Sequence, residues 1–192
     1  MVGAILTQGT RWHNVERAIG RLKYARVLSA RTLASLRAST LQRLIRATGY
    51  FRQKAARLQT LSRWYRTTYG ANPRAMFRAN ARILRDQLLG LPGIGPETAD
   101  SILLYAGRQP VFVVDAYTRR ILRRHLLIAG DEPYETVQRF VMACLPEDQT
   151  LFNEFHALLV AVGKRYCHRH NPDCQHCPLG DFPLQREEVA NG

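Results

Sequence analysis

One stretch between two runs of helical periodicity determines the fold: Leu91-Pro92-Gly93-Ile94-Gly95-Pro96-Glu97-Thr98-Ala99. Two glycines flank one aliphatic residue, which allows a tight turn whose backbone amides point outward. Pro96 suits the first position of the helix that follows. Amides at the start of a helix bind an anion, and a DNA phosphate meets that need without any base being contacted. The stretch therefore predicts a helix-hairpin-helix that grips DNA through the amides of Gly93, Ile94 and Gly95.

The sequence on both sides of this turn shows helical periodicity almost throughout. Helices are predicted over residues 10–23, 51–68, 72–89, 96–105, 117–125, 134–144 and 149–166, and Ser29 and Ser39 are predicted to cap two short helices. Only residues 111–114 look extended, and they are too few to form a sheet. The pattern predicts an all-α fold.

The charge of the chain points to a polyanionic partner. The 192 residues carry 28 Lys plus Arg against 15 Asp plus Glu, a formal net charge of +13, and no acidic residue occurs between Glu16 and Asp86. A long stretch of one sign attracts polyanions, because each neutralised phosphate releases condensed counterions. Arginines on solvated helix faces would explain the basic residues but not the missing acids, so nucleic acid is the favoured partner.

Composition also excludes several classes of protein. An apolar fraction of 46% with 22% charged residues is that of a globular chain and not of a disordered basic tail. No window approaches about twenty uncharged apolar residues, so no membrane span is expected. Residues 1–6 lack the charged leader and cleavage site of a signal peptide. We expect a cytoplasmic, nucleoid-associated protein of a prokaryote, monomeric and without an obligatory protein partner.

An apolar run that ends in a carboxylate, Val113-Val114-Asp115, follows Glu97 by eighteen residues. The hairpin stretch and this Val-Asp pair at this spacing resemble the helix-hairpin-helix DNA glycosylase superfamily of the endonuclease III type. The resemblance extends from Gly3 to about Leu179. A Gly-x-Gly turn alone also occurs in ordinary helical hairpins, but the carboxylate at this distance favours the glycosylase interpretation.

The resemblance implies a two-lobed fold and a set of DNA-contacting residues. The central helical lobe is expected over 10–126, with the hairpin at about 80–106, and the second lobe over 1–9 plus 127–192. Gln8 resembles the family residue that fills the gap left by a flipped nucleotide, and Tyr50 resembles the wedge on the opposite strand. Thr98, in the hairpin motif, is assigned to the same set. Duplex DNA is the implied partner.

Asp115 is the predicted catalytic carboxylate. An enzyme that acts on a base inside a duplex must extrude that base, and so needs phosphate anchors, a wedge and a pocket. Breaking the N-glycosidic bond develops positive charge on the sugar, which a fixed carboxylate stabilises while it orients or deprotonates water. The same Asp could merely cap the helix that begins near Tyr117, but the hairpin at the right distance favours catalysis.

Glu97 departs from the pattern of the lyase-competent members, in which this position holds a Lys. The Lys amine attacks C1′ and forms a Schiff base that leads to strand cleavage, whereas a carboxylate cannot form that imine. Lys54 and Lys164 lie at unrelated points of the motif pattern. The expected activity is therefore monofunctional base removal that leaves an abasic site.

The hairpin also indicates the substrate class. A GIGxE(S/T)AD hairpin resembles that of the 3-methyladenine DNA glycosylases of the endonuclease III type, and Ala99-Asp100 continue this match. Alkylated purines are cationic leaving groups, so an electron-rich aromatic ring can stack on them. Trp12 and Tyr50 are candidates for this role, and Trp12 and Glu97 are assigned to the substrate pocket. Core packing is the alternative for Trp12, and the wedge is the alternative for Tyr50.

The cysteines Cys167, Cys174 and Cys177 have the spacing C-x6-C-x2-C of the family's iron-sulfur loop, expected here over 167–183. The resemblance implies a four-iron four-sulfur cluster held by thiolates. The fourth cysteine is absent, because Pro183 stands at its position. Asp181 or His176 as a substitute ligand, a zinc site, and a relic loop with free thiols remain open.

The favoured function is a base excision repair DNA glycosylase, a hydrolase that removes an alkylated purine from duplex DNA. One rival is an endonuclease III-like glycosylase with AP lyase activity on oxidised pyrimidines. A second rival is a DNA-binding helix-hairpin-helix protein that has lost catalysis.

Overall fold

The computed structural model of the chain describes residues 1–182, and over that range it contains helices, turns and loops but no β-strand. This confirms the all-α prediction. Contacts group Met1–Gln109 into one unit and the residues from Pro110 onward into a second. The two lobes expected from the sequence place the boundary elsewhere and stay a prediction. In the described range, no helix combines the length and the apolar composition needed to cross a bilayer.

The first unit contains eight α-helices and one 3-10 turn. In chain order they are α1 (Val2–Thr7), α2 (Trp12–Tyr24), α3 (Ala30–Ser35), α4 (Ala38–Ile45), the 3-10 turn Arg46–Thr48, α5 (Phe51–Tyr69), α6 (Pro73–Phe77), α7 (Ala81–Leu89) and α8 (Pro96–Tyr105). The long helix α5 packs against α3 and α4. Its fully buried Leu58 lies in a core with Ile5, Leu22, Leu41 and Leu84.

Two short helices begin where the sequence predicts, because polar side chains satisfy their first amides. Ser29 caps α3 by accepting a hydrogen bond from the Thr32 amide at 3.1 Å. Asn72 caps α6 by accepting from the Arg74 amide at 2.9 Å, and Pro73 occupies the first helical position.

Two expectations about these helices are wrong. The single helix expected over 72–89 is two helices, because the Asn80 side chain accepts from the Arg82 amide at 2.9 Å and starts α7 anew. Ser39 is not an N-cap, because α4 already begins at Ala38, and Arg37 precedes it without a side-chain cap bond. Asn and Ser are both cap-forming residues, so residue type alone does not tell which of them starts a helix.

The second unit contains α9 (Ala116–Arg124), α10 (Tyr134–Ala143) and α11 (Gln149–Arg165) within its described residues. The segment 111–115 before α9 is irregular. Its Phe112 is completely buried and packs edge-on against Phe152 of α11, with ring centroids 5.9 Å apart. The Gln138 amide of α10 donates to the Phe112 carbonyl at 2.5 Å. These contacts fix the residues immediately before Asp115.

Candidate functional site

The hairpin between α7 and α8 forms as predicted. Arg85 of α7 donates two hydrogen bonds to the carboxylate of Asp100 in α8, at 2.7 and 3.2 Å. Asp100 is completely buried, and a forked pair of this kind fixes orientation as well as distance. Gly93 in the turn has φ +79°, a left-handed conformation that favours glycine. The Arg85–Asp100 pair therefore joins the two helices of the hairpin.

Only some of the turn amides point away from the protein. The Ile94 amide donates to the Leu91 carbonyl at 3.1 Å, and the Ile94 side chain is buried. In the described part of the chain, neither the Gly93 amide nor the Gly95 amide donates to an acceptor. Two backbone donors are therefore available to an external anion at this turn.

The Gln8 side chain, predicted to enter the duplex, is bonded to the hairpin. Its amide nitrogen donates to the Gly93 carbonyl at 3.1 Å and to the Thr98 hydroxyl at 2.9 Å. Its amide oxygen accepts from Arg57 Nη1 at 2.5 Å. The structure thus brings Gln8 to Gly93 and Thr98, which lie 85 and 90 residues further along the chain. It adds Arg57, which sequence reasoning missed.

Tyr50, the predicted wedge, stands beside the same group. It is 70% exposed and has φ +43°, an unusual backbone conformation for a residue with a side chain. Its ring approaches Gly9, where an added Cβ would lie 3.8 Å from Tyr50 Cε2. The loops that carry Gln8 and Tyr50 therefore meet side by side in the first unit.

A buried lysine fixes both of these loops. Lys54 is completely buried, and its ammonium donates to the Leu6 carbonyl at 2.9 Å and to the Thr48 carbonyl at 2.7 Å. Burial, and secondarily the positive charge of Arg57, lowers the pKa of Lys54 to about 8. The two carbonyls lie just before Gln8 and Tyr50, so this cation ties together the chain segments that present them.

The two pocket candidates of the first unit are accessible. Trp12 is 47% exposed, its indole N–H donates to Glu16 Oε1 at 2.8 Å, and its ring lies against Gly3. It is therefore not a core residue. Glu97 is exposed in the first turn of α8, where the amides of the turn favour a negative charge.

Asp115, in the second unit, caps α9 with one carboxylate oxygen, and its other oxygen takes no part in the cap. Its Oδ1 accepts from the Thr118 amide at 2.8 Å. Its Oδ2 faces the imidazole of His156, with 3.7 Å between Oδ2 and Nε2. The cap and a catalytic role do not compete, because they use different oxygens.

His156 is a neighbour of Asp115 that sequence reasoning missed. It lies on α11, is buried, and stacks edge-on with Phe112 at 6.1 Å between ring centroids. Burial lowers the pKa of His156, and the nearby Asp115 opposes that shift less strongly. The lowered pKa favours the neutral imidazole at neutral pH.

The cysteine loop is held by an arginine. Arg124 of α9 is buried, and its guanidinium donates to Cys167 Sγ at 3.2 Å, to the His168 carbonyl at 2.5 Å and to the Arg169 carbonyl at 3.1 Å. Cys167 is buried, whereas Cys174 and Cys177 are half-buried. The hydrogen bonds from Arg124 therefore hold the first residues of the loop against α9.

The described part of this loop does not form a site for a four-iron cluster. Within residues 1–182, no three His, Cys, Asp or Glu side chains converge as a metal site. The space that the loop encloses with α9 and α11 is about 10 Å³, room for about one water molecule. His176, one proposed substitute ligand, bonds Asp173 at 2.8 Å, and Asp181, the other, is exposed. Pro183, at the missing fourth position, lies outside the described residues.

Comparison with known proteins agrees with this geometry. Residues 2–147 match the family HhH-GPD, described as the HhH-GPD superfamily of base excision DNA repair proteins. A protein of Methanocaldococcus jannaschii named as a DNA repair glycosylase is 40% identical over 97% of this chain and 84% of its own length. Endonuclease III of Thermotoga maritima is 31% identical over 93% of this chain and 78% of its own length.

A solved structure shares the fold. The 3-methyladenine DNA glycosylase MagIII of H. pylori, bound to 1,N6-ethenoadenine, superposes with a TM-score of 0.74. It is 29% identical and covers 85% of this chain and 83% of its own. These matches confirm the resemblance inferred from the hairpin and the Val-Asp pair, and with it the expected class of DNA N-glycosylase. The chain belongs to the HhH-GPD superfamily of base excision DNA repair proteins.

Proposed function

We propose that this protein hydrolyses the N-glycosidic bond of an alkylated purine in duplex DNA and leaves an abasic site without cutting the strand. The observation that carries the proposal is the carboxylate of Asp115. One oxygen is fixed by the Thr118 amide, and the other faces a buried histidine. A carboxylate held this way stabilises positive charge on the sugar and can orient the attacking water.

The neutral state of His156 supports this role for Asp115. A protonated imidazole at this position would pair with the carboxylate and cancel the charge that the developing oxocarbenium ion needs. Burial lowers the pKa of His156 and keeps the ring neutral. Asp115 can then act as a full negative charge.

The positions of the lysines support base removal without strand cleavage. Glu97 stands where a lyase would carry its nucleophilic lysine, and a carboxylate forms no imine. Of the three lysines in the sequence, Lys54 is buried with its ammonium bonded to two carbonyls, and Lys23 and Lys164 are exposed on other helices. None of the three stands in the hairpin.

For DNA binding, we propose that the amides of Gly93 and Gly95 hold a phosphate, since the Ile94 amide is used inside the turn. Tyr50, exposed on its strained backbone, would wedge the duplex. Gln8 would fill the gap left by the flipped base, which requires its hydrogen bonds to the hairpin and to Arg57 to open. Duplex DNA is the partner in this proposal.

For the base itself, we propose an alkylated purine. The exposed rings of Trp12 and Tyr50 are electron-rich surfaces on which a cationic base can stack. The related MagIII structure holds 1,N6-ethenoadenine, a modified purine. Glu97 would add a negative charge near such a base.

An endonuclease III-like lyase is the second candidate, because the Thermotoga maritima relative of that name matches 93% of this chain. Single-turnover excision on duplexes that carry an alkylated purine, an oxidised pyrimidine or a mismatched adenine separates the substrates. Borohydride trapping on an abasic duplex separates the mechanisms. We expect excision of the alkylated purine and no trapped complex, and a covalent complex would contradict the assignment of Glu97.

A further inference from the structure

Two cations lie one turn apart on α5 and face the loops around the hairpin. Lys54 is completely buried, and Arg57 is half-buried. The charge of Arg57 lowers the pKa of Lys54. Each ion therefore makes it less favourable to bury the other in its charged form. Placing two like charges together in a partly buried position is unfavourable unless an anion is nearby.

No carboxylate in the described part of the chain supplies that anion. Neither Lys54 nor Arg57 forms an ion pair with any residue that the structure describes, and the sequence holds no acid from residue 17 to residue 85. Lys54 is satisfied by the Leu6 and Thr48 carbonyls. Arg57 is not satisfied, because a guanidinium has five N–H groups and only one bond, to Gln8, is formed within residues 1–182.

The unsatisfied guanidinium lies on the turn of the hairpin. An added Cβ at Gly93 would collide with Arg57 Nε and would stand 2.9 Å from its Cζ. The charged group is therefore packed against the residue whose amide, like that of Gly95, has no acceptor in the described chain. Two backbone donors of the turn and the Arg57 guanidinium, which has no counter-ion among the described residues, therefore lie next to each other.

We infer that Arg57 is a ligand for a DNA phosphate at the hairpin, in addition to the Gly93 and Gly95 amides. The inference rests on the proposed DNA binding by the hairpin and deepens it. A guanidinium matches the geometry of a phosphate, since it can offer two parallel N–H groups to two oxygens. The phosphate would neutralise the charge that residues 1–182 leave without an ion pair at this position.

The test compares Arg57→Gln with Arg66→Gln in binding to a short undamaged duplex, measured by fluorescence anisotropy over a range of salt concentrations. Arg66 is exposed on the same helix, roughly 13 Å further along its axis, so both variants lose one charge from α5. For Arg57→Gln we expect affinity at low salt to fall by about tenfold. We also expect the slope of log K against log salt to become shallower by about 1. For Arg66→Gln we expect a smaller change in both.

Two further variants keep the result interpretable. Arg57→Lys keeps the charge and loses the fork, so it should bind more weakly while the salt slope stays near that of the parent. Gln8→Ala removes the one hydrogen-bond partner of Arg57 found within residues 1–182. If Arg57 acted only by holding Gln8, then Gln8→Ala would reproduce the full loss and neither variant would change the slope, which would overturn the inference.

Equal behaviour of Arg57→Gln and Arg66→Gln would also overturn it. Thermal unfolding by circular dichroism checks that each variant is folded. If Arg57→Gln does not fold, the comparison is made with Arg57→Lys instead. Because the duplex is undamaged, the result does not depend on excision. A protein that excises nothing but shows the slope change would refute the proposed reaction and keep the phosphate contact.

Discussion

At the scale of single residues, Gly93 and Gly95 have different requirements although they share one turn. Gly93 has φ +79°, and a Cβ there would collide with Arg57. Gly95 has φ −93°, and a Cβ there would meet nothing within 4 Å. The turn therefore requires glycine at position 93, whereas it has room for a larger residue at position 95.

We predict that Gly93→Ala weakens binding to undamaged duplex by about tenfold and destabilises the fold by roughly 1 to 2 kcal/mol. The matched control, Gly95→Ala, should stay within about 0.5 kcal/mol of the parent and retain its DNA affinity, because its amide is unchanged. Anisotropy and thermal unfolding measure the two quantities. Equal losses in both variants would show that the turn does not distinguish these positions.

Lys54 gives a prediction about pH. Its pKa is about 8 in the folded chain against 10.5 for an ordinary lysine. Below pH 8 the folded and unfolded states both hold the proton, whereas between about pH 8 and 10.5 only the unfolded state does. The free energy of unfolding contributed by this residue therefore rises with pH across that window.

Lys54→Met removes this contribution and leaves two buried carbonyls without a donor. The parent should exceed the variant in free energy of unfolding at pH 7 by a few kcal/mol, since each unsatisfied carbonyl costs about 1 to 3 kcal/mol. The difference should grow by on the order of 3 kcal/mol by pH 10.5. Urea unfolding of both proteins at several pH values tests this, and a difference that does not change with pH would contradict the assigned pKa.

At the scale of elements, capping side chains decide where the helices begin. Periodicity and cap-forming residues were enough to predict α8 at its observed bounds, the cap at Ser29 and a helix that starts at residue 72. They failed at Asn80 and Ser39, because both residue types can cap and local sequence does not reveal which one does.

Asn80→Ala tests the observed break between α6 and α7. Because the Asn80 side chain accepts from the first amides of α7, its loss should lower stability by about 1 kcal/mol. Ser39→Ala, at the position wrongly expected to cap, should change stability by less than about 0.5 kcal/mol. Chemical unfolding of the two variants measures this. A larger loss of stability in Ser39→Ala than in Asn80→Ala would contradict the break and favour a single helix over 72–89.

The same limits apply to the candidate site. The hairpin and Asp115 could be found from sequence, because a short motif and one spacing carry them. Lys54, Arg57 and His156 could not, because their partners are carbonyls, an amide and a carboxylate brought close only by folding. The one signal was Lys54 itself, which stands beside the buried Ala55 in an otherwise apolar stripe.

At the scale of the whole molecule, a net charge of +13 draws the chain to any polyanion, so DNA binding alone does not establish catalysis. The HhH-GPD family membership gives the fold and the class of enzyme. The chemistry proposed for this chain depends on one carboxylate, and the cysteine loop enters no step of it.

Asp115→Asn tests that dependence most directly. Asn caps a helix about as well as Asp, so the bond from the Thr118 amide and the start of α9 are preserved while the negative charge is lost. Single-turnover excision on a duplex with an alkylated purine is the measurement, with anisotropy on the same duplex as its control. We predict that excision falls by at least about a hundredfold while duplex affinity stays within about twofold of the parent. Excision by Asp115→Asn at the parental rate would contradict the account.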